Sequence, residues 1–347
     1  MLQVDIQKGL GSFRLDVQFE TEGGTMGILG ESGCGKSMTL RCIAGIERPD
    51  RGRIVLDGET LFDSERKINL PPQKRQVGYL FQNYALFPRM TVRQNILCGL
   101  RGERDRSRRA EIYRRTVEQL QLNGLENRRP SQLSGGQAQR AALARILVSR
   151  PRLLMLVEPF SALDSHLRVQ LQLQMLQLLR ELDRQALLVT HSRDEAYHLC
   201  ASIGVMEGGR FLCCKETKAL FSDPENRQAA RITGCKNIAA AREAGDFELF
   251  VPEWGIRMQT AQQVRSDVSA VAIRAHYFNT KTKGNRFAVR FTGEMDEPFE
   301  HIYTFRYMNQ SPGTPDLWWR IPKSLNMGEL PVELGVSPAN VLPLYDK

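Results

Sequence analysis

"GILGESGCGKSMTLRCIAGI", residues 27–46, is the stretch on which the reading of this chain turns. An apolar run, "TMGILG" (25–30), enters it, and a helical pattern, "MTLRCIAGI", leaves it. Between them Gly30-Glu31-Ser32-Gly33-Cys34-Gly35-Lys36-Ser37 has the G-x-x-x-x-G-K-[ST] spacing of a phosphate-binding loop. Gly30, Gly33 and Gly35 leave the backbone free to wrap, so that successive N–H groups converge on phosphate oxygens. The helix that follows, from Met38, presents its positive end to the same point. Lys36 offsets the charge of the outer phosphates, and the Ser37 hydroxyl suits Mg²⁺. A strand, this loop and a helix in that order predict a site for a nucleoside triphosphate such as ATP.

Outward from the loop, short apolar runs alternate with helical stretches. "RIVLDG" (53–58), "VGYLFQ" (77–82), "LLMLV" (153–157), "ALLVT" (186–190) and "SIGVM" (202–206) read as strands. Several are apolar throughout, as strands buried on both faces of a parallel sheet must be. The chain is therefore α/β. "HLRVQLQLQMLQLLRELDR" (166–184) alternates at first like a strand, but it lacks Gly and Pro and is rich in helix formers. Leu167, Leu171, Met175, Leu178 and Leu182 make a helical stripe, and the segment is read as a helix. After about residue 232 the punctuation changes. "FELFVPEWGIRMQ", "VSAVAIRAHYF", "RFAVRFTGE", "IYTFRYM" and "LWWRIP" are short runs broken by Gly, Pro and Asn, which is an all-β pattern.

A second glycine-rich helix start follows at "QLSGGQAQRAALARILVS" (132–149). Ser134 is a good N-cap, and Gly135 and Gly136 expose backbone N–H groups beside Gln137, which makes a second anion site. One nucleotide uses two such sites when two copies pack head to tail, the phosphate loop of one facing the second site of the other. With this constellation the sequence resembles the ATPase subunits of the ATP-binding cassette family over residues 1–232. The resemblance implies a P-loop NTPase cassette: a mixed sheet with helices, and a helical subdomain over about 84–150. It also implies a smaller β-rich, OB-like domain of the TOBE or MOP kind over 235–347. It implies further that ATP and Mg²⁺ are the cofactors. Gln82, in "GYLFQNYALFP", matches the glutamine that touches Mg²⁺ or the attacking water, so Ser37 and Gln82 are the metal candidates. The aromatic-rich loop after it (Tyr84, Phe87, Pro88) fits a surface for a membrane partner. "SALD" (161–164) matches the loop that crosses the dimer interface, which places Asp164 at the nucleotide of the other copy. His191, in "LLVTHS", matches the histidine at the γ-phosphate. Phe13 falls where the family often has an aromatic under the adenine, or it is a core strand residue. Gly30 to Met38, with Phe13, Ser134, Gly135, Gly136, Gln137 and Asp164, make up the nucleotide-binding set. Glu158, His191 and Gln82 make up the catalytic set.

One letter breaks the pattern. Family members read "LLLLDEP" where this chain reads "LLMLVEP", with Val157 ahead of Glu158. The family's Asp there holds Mg²⁺, and the Glu polarises the attacking water. In one reading the enzyme still works, because Ser37, Gln82 and the phosphates remain as ligands and Glu158 remains as general base. In the other the chain binds ATP and dimerises but hydrolyses slowly, as a regulatory partner of an intact subunit. Retention of Glu158 and His191 favours the first.

The bulk properties agree with a soluble subunit. The chain has 347 residues, a net charge of +9 and 41% hydrophobic residues, and it suggests about two domains. No apolar run approaches the ~20 residues that span a bilayer, and "MLQVDIQKGLGSF" lacks the pattern of a signal peptide. The basic density in "RGERDRSRRAEIYRR" (101–115) is interrupted by acids and reads as a solvated helix face, so no nucleic-acid partner is expected. Seven irregularly spaced cysteines without CxxC argue for a reducing compartment and against disulfides or zinc. Residues 52–96 resemble importer ATPases, nearest those for molybdate, with sulfate, polyamine and sugar importers next; the few residues before the phosphate loop fit the molybdate type. "VAIRAHYF" (271–278) resembles the "GIRPE" element of their tail domains, and the rest of the tail departs from it. The resemblance implies a homodimer, or a pair with another cassette, at the cytoplasmic face of the membrane. Its partners would be integral-membrane permease subunits and, indirectly, a substrate-binding protein.

Overall fold

The computed structural model describes residues 1–161, 165–182, 185–325 and 329–346, the helix ends 165–167 and 181–182 by backbone alone. Two compact units result, Met1–Thr217 and Lys218–Lys347.

The first unit holds two sheets. Strands β1 (Leu2–Leu10) and β2 (Phe13–Thr21) form a hairpin whose turn uses Gly11 at φ 64°. They join β4 (Arg51–Leu56), β5 (Glu59–Asp63) and β6 (Ile68–Asn69) in the order β2-β1-β4-β5-β6. "RIVLDG" thus belongs to this antiparallel sheet, with Asp57 and Gly58 in the turn to β5. The β1–β2 hairpin, alternating and half polar, is not among the strands that the apolar runs predict.

The second sheet is built from β3 (Thr25–Gly30), β7 (Val77–Leu80), β8 (Leu153–Val157), β9 (Gln185–Val189), β10 (Ser202–Glu207) and β11 (Arg210–Glu216). Its order is β11-β10-β3-β9-β8-β7, parallel throughout except for the edge strand β11. Every residue of β3, β8 and β9 is buried, which is why these strands read as unbroken apolar runs. One face shares a core with the antiparallel sheet and with α1 (Lys36–Ala44): Ile6, Leu15, Leu40, Ile43, Met155 and Leu187 meet there. Between β7 and β8 come α2 (Val92–Gly99), α3 (Arg106–Gln119) and α4 (Gly135–Leu147). Basic residues of 101–115 fall on α3, whose residues are mostly exposed. The ambiguous segment is a helix, α5 (Ser165–Leu182), with Leu171, Met175 and Leu178 buried. The side chains of Leu167 and Leu182 lie outside the described residues. Helix α6 (Arg193–Leu199) links β9 to β10.

This winding fixes where chemistry occurs. Gly30 closes β3, and Gln82, Glu158 and His191 follow β7, β8 and β9, so all four lie at the carboxyl ends of parallel strands.

The segment 218–232, which the sequence punctuation assigns to the first domain, packs with the second unit. Helices α7 (Thr217–Ser222) and α8 (Arg227–Ile232) lead into it. Ala230 shares a small core with Cys235, Ala270, Ala272, Leu342 and Leu344. Buried Arg274 donates to Thr233 O and Phe221 O at 2.5 Å each, tying both helices to the end of a strand. Among the described residues ten antiparallel strands follow: β12 (Asn237–Ala240), β13 (Arg242–Gly245), β14 (Glu248–Val251), β15 (Ile256–Gln259), β16 (Ala270–Ile273), β17 (Arg286–Asp296), β18 (Glu300–Tyr307), β19 (Leu317–Pro322), β20 (Glu333–Gly335) and β21 (Leu342–Leu344). They make sheets β12-β16-β21, β13-β14-β15 and β19-β18-β17-β20 around one aromatic core. Trp319, at its centre, donates its indole N–H to Phe278 O at 2.8 Å.

Candidate functional site

The phosphate loop is shaped by its glycines, by close approach at Gly30 and by backbone conformation at Gly33 and Gly35. A Cβ on Gly30 would stand 2.3 Å from Met206 O, and one on Gly35 would stand 2.7 Å from Leu15 Cδ1. Gly33 and Gly35 are left-handed, at φ 83° and 109°. Helix α1 begins on Gly35 with no side-chain cap, so its first N–H groups keep their donors for a ligand. Lys36 is 7% exposed and folds back, its Nζ donating to Gly30 O at 2.7 Å and Glu31 O at 2.8 Å. Cys34 is buried with its sulfur 3.8 Å from Nζ, whereas Glu31, Ser32 and Ser37 are exposed. The loop thus holds a cation on its own carbonyls and turns its hydroxyls outward.

Ser32, Gly33, Gly35, Lys36, Ser37 and Met38 line a cleft of about 440 Å³. Phe13, half-buried beside Gly35, forms part of its wall, and Glu158 and His191 close it from the sheet edge. Glu158 is held in the left-handed region, at φ 45°, by Val189 O, which accepts its N–H at 2.8 Å. That conformation costs about 1–2 kcal/mol outside glycine, and it aims the carboxylate into the cleft rather than along the strand. One carboxylate oxygen accepts from Gln82 Nε2 at 3.3 Å, and the other lies 3.5 Å from His191 Nδ1. Gln82 and His191, far apart in sequence, are therefore both neighbours of Glu158.

Ser134, Gly135, Gly136 and Gln137 stand apart. They open α4 and do not line the cleft. Ser134 Oγ accepts from Gln137 N at 3.4 Å, and Gln137 Oε1 accepts from Ser134 N at 3.0 Å, a capping box. Gly135 is exposed at this helix start. Asp164 lies outside the described residues.

Val157 is 8% exposed, pairs with Val189 and packs beside Met155 and Leu187. Among the described residues lining the cleft, Glu158 is the one carboxylate. The donor set still suits a hard cation, since Mg²⁺ takes one or two protein oxygens, phosphates and several waters. The Ser37 hydroxyl supplies one in the cleft, whereas Gln82 does not line the cleft and is tied to it through Glu158. Sequence reasoning missed Arg41 and Leu10, which also line the cleft. Arg41 follows Ser37 by one helical turn, a spacing that could have revealed it.

Residues 14–161 match the ABC transporter family. The chain is 38% identical over 224 residues to the molybdenum import ATP-binding protein ModC of Paramagnetospirillum magneticum, covering 65% of this chain and 61% of that protein. It is 44% identical over 217 residues to the spermidine/putrescine import ATP-binding protein PotA of Nitratidesulfovibrio vulgaris, covering 62% and 57%. It is 40% identical over 267 residues to the molybdate/tungstate import ATP-binding protein WtpC of Pyrococcus horikoshii, covering 74% and 76%. The chain thus spans less than two thirds of the first two of these relatives. Among solved structures, a dimeric post-hydrolysis state of the ATP-binding cassette MJ0796 bound to ADP and Pi aligns with a TM-score of 0.53 and 25% identity, covering 62% of this chain and 99% of that one. The cbiO1 cassette of Clostridium perfringens shares the fold, at a TM-score of 0.55 and 23% identity, covering 65% and 91%.

Proposed function

The chain belongs to the ABC transporter family, and from that premise we propose that it binds MgATP in the cleft at Lys36 and hydrolyses it to drive import of a small solute. The observation that carries this reading is that Glu158 and His191 line the cleft of the phosphate loop while Gln82 bonds to the same Glu158 carboxylate. The loop N–H groups and Lys36 would bind the phosphates, Lys36 exchanging two carbonyl partners for phosphate oxygens. Phe13 would stack under the base. Mg²⁺, when bound on Ser37 and Gln82, would offset phosphate charge. Glu158 would take the proton of the attacking water, and Gln82 and His191 would orient that carboxylate. The second anion site, at Ser134 to Gln137, would complete the nucleotide site of a second copy, as would Asp164.

The partners in this reading are a second cassette and integral-membrane permease subunits, with the chain peripheral on the cytoplasmic face. No helix among the described residues is long and apolar enough to cross a membrane. The second unit would be an accessory domain of the TOBE kind. The relatives are named for molybdenum, for molybdate or tungstate, and for spermidine or putrescine. We infer an oxyanion of the molybdate class as cargo, to be tested against putrescine in uptake assays with cells lacking this chain. Loss of putrescine uptake with intact molybdate uptake would reverse that assignment.

Val157 favours a second reading, a subunit that binds ATP without turning it over. Phosphate release by the purified chain with and without Mg²⁺ separates the two. Mg²⁺-dependent release that disappears in Glu158→Gln supports an enzyme. Tight binding with no release supports the alternative.

A further inference from the structure

The loop between Gln82 and α2 has a backbone that it would not adopt unaided. Tyr84 and Ala85 are both left-handed, at φ 59° and 45°, and neither is glycine. The Tyr84 hydroxyl is buried without a hydrogen-bond partner, and burial raises its pKa above the ordinary phenol value. Two successive strained residues beside a catalytic centre need something to hold them.

Two side chains do so from the helical layer. Asn95 of α2, 0% exposed, accepts Phe87 N at 2.9 Å, and its amide nitrogen faces Phe87 O, Met90 O and Thr91 O at 3.1–3.2 Å. Arg145, near the end of α4, donates to Ala85 O at 2.8 Å and to Tyr84 O at 3.3 Å. Its guanidinium lies 5.1 Å from the centre of the Phe87 ring. Its fork therefore grips the carbonyls of both left-handed residues while an aromatic face covers it. A guanidinium suits this task because it is planar, always charged and rich in donors. The same helix opens on Ser134, at the second anion site.

We propose that Arg145 is a positioning residue: by fixing the left-handed backbone of Tyr84 and Ala85 to helix α4 it presets Gln82, two residues upstream, against Glu158. Asn95 fixes the far end of the same loop, at Phe87 and Met90, to α2. The role of Gln82 in this chain of contacts rests on the ATPase reading above; the grip on the loop does not.

The experiment compares the intact parent with Arg145→Gln and Arg145→Lys. Backbone amide exchange of residues 82–91 is measured with and without ADP, and fluorescent-ATP titrations are run with and without Mg²⁺. In Arg145→Gln, exchange at 84–90 should rise at least ~10-fold, against less than ~2-fold over α4. Affinity for metal-free ATP should stay within ~2-fold, and the gain in affinity from Mg²⁺ should fall ~3- to 10-fold. Arg145→Lys, able to reach one carbonyl but not both, should fall between. Phe87→Ala, at an exposed site, serves if Arg145→Gln does not fold, with a ~3-fold rise in loop exchange. Unchanged exchange at 84–90 overturns the clamp. Raised exchange with an unchanged Mg²⁺ effect overturns the link to Gln82. Failure of the parent to bind ATP at all would instead defeat the functional reading, while the exchange result would still judge the clamp.

Discussion

Replacing Val157 by Asp sets fold stability against metal affinity. Val157 is 8% exposed in the core shared by α1 and both sheets. Nearly the whole of the ~1.5–3 kcal/mol gained by burying a valine is lost, and a part-buried carboxylate is added. Without nucleotide the variant should be about 2–4 kcal/mol less stable, a Tm lower by about 5–10 °C for a unit of this size. With MgATP part of that loss is recovered. A carboxylate restored at the end of β8 should raise Mg²⁺ affinity ~10- to 100-fold, equal to about 1.4–2.7 kcal/mol. Thermal melts with and without MgATP, together with phosphate release against Mg²⁺ concentration, read both effects. MgATP should raise the variant's Tm more than the parent's, and half-saturating Mg²⁺ should fall at least ~10-fold. Val157→Asn should lose similar stability and gain no Mg²⁺ affinity, which isolates the charge. An Asp variant with the parent's Mg²⁺ dependence would refute the reasoning. An inert parent revived by Asp would move the chain to the non-hydrolysing reading.

Lys36→Ala should weaken ATP binding at least ~100-fold by fluorescence titration, because its charge-assisted bonds are the strongest the loop offers. Arg75 is fully buried and donates to Cys42 O, Ile43 O, Leu70 O and Asn69 Oδ1 at 2.8–2.9 Å; Arg75→Met strands those acceptors and should cost at least about 3 kcal/mol in denaturant unfolding. Burial raises the Glu195 carboxyl above its ordinary value of 4.5, while Thr190 donates to it at 2.5 Å. A raised folded-state pKa means that its contribution to stability is complete at low pH and is lost as pH rises through that value. Glu195→Gln, neutral throughout and still able to accept from Thr190, should melt higher than the parent at pH 8 and close to it at pH 4.

The parallel strands were legible because burial on both faces leaves an unbroken apolar run, as in β3, β8 and β9. The phosphate loop was legible because its glycines answer to local geometry: Gly30 meets Met206 O and Gly35 meets Leu15. The β1–β2 hairpin was not, since Leu2, Val4 and Ile6, and Phe13, Leu15, Val17 and Phe19, alternate with polar residues on strands covered on one face, which leaves no unbroken apolar run to mark them. The packing of 218–232 was not, because Ala230 finds its neighbours at Ala270 and Leu342, which no local pattern announces. The mutual approach of Gln82, Glu158 and His191 came from the family resemblance, not from spacing. The positive φ of Glu158 and the grip of Arg145 on Tyr84 depend on contacts across long stretches of chain, and no periodicity carries them.

The account depends above all on two chains closing over two nucleotides. Light scattering of Glu158→Gln with ATP, with ADP and without nucleotide tests that most directly. A dimer that forms with ATP alone, and fails to form when Ser134→Arg is added, is the expected result. A monomer at saturating ATP, or a dimer indifferent to nucleotide and to Ser134, would contradict it.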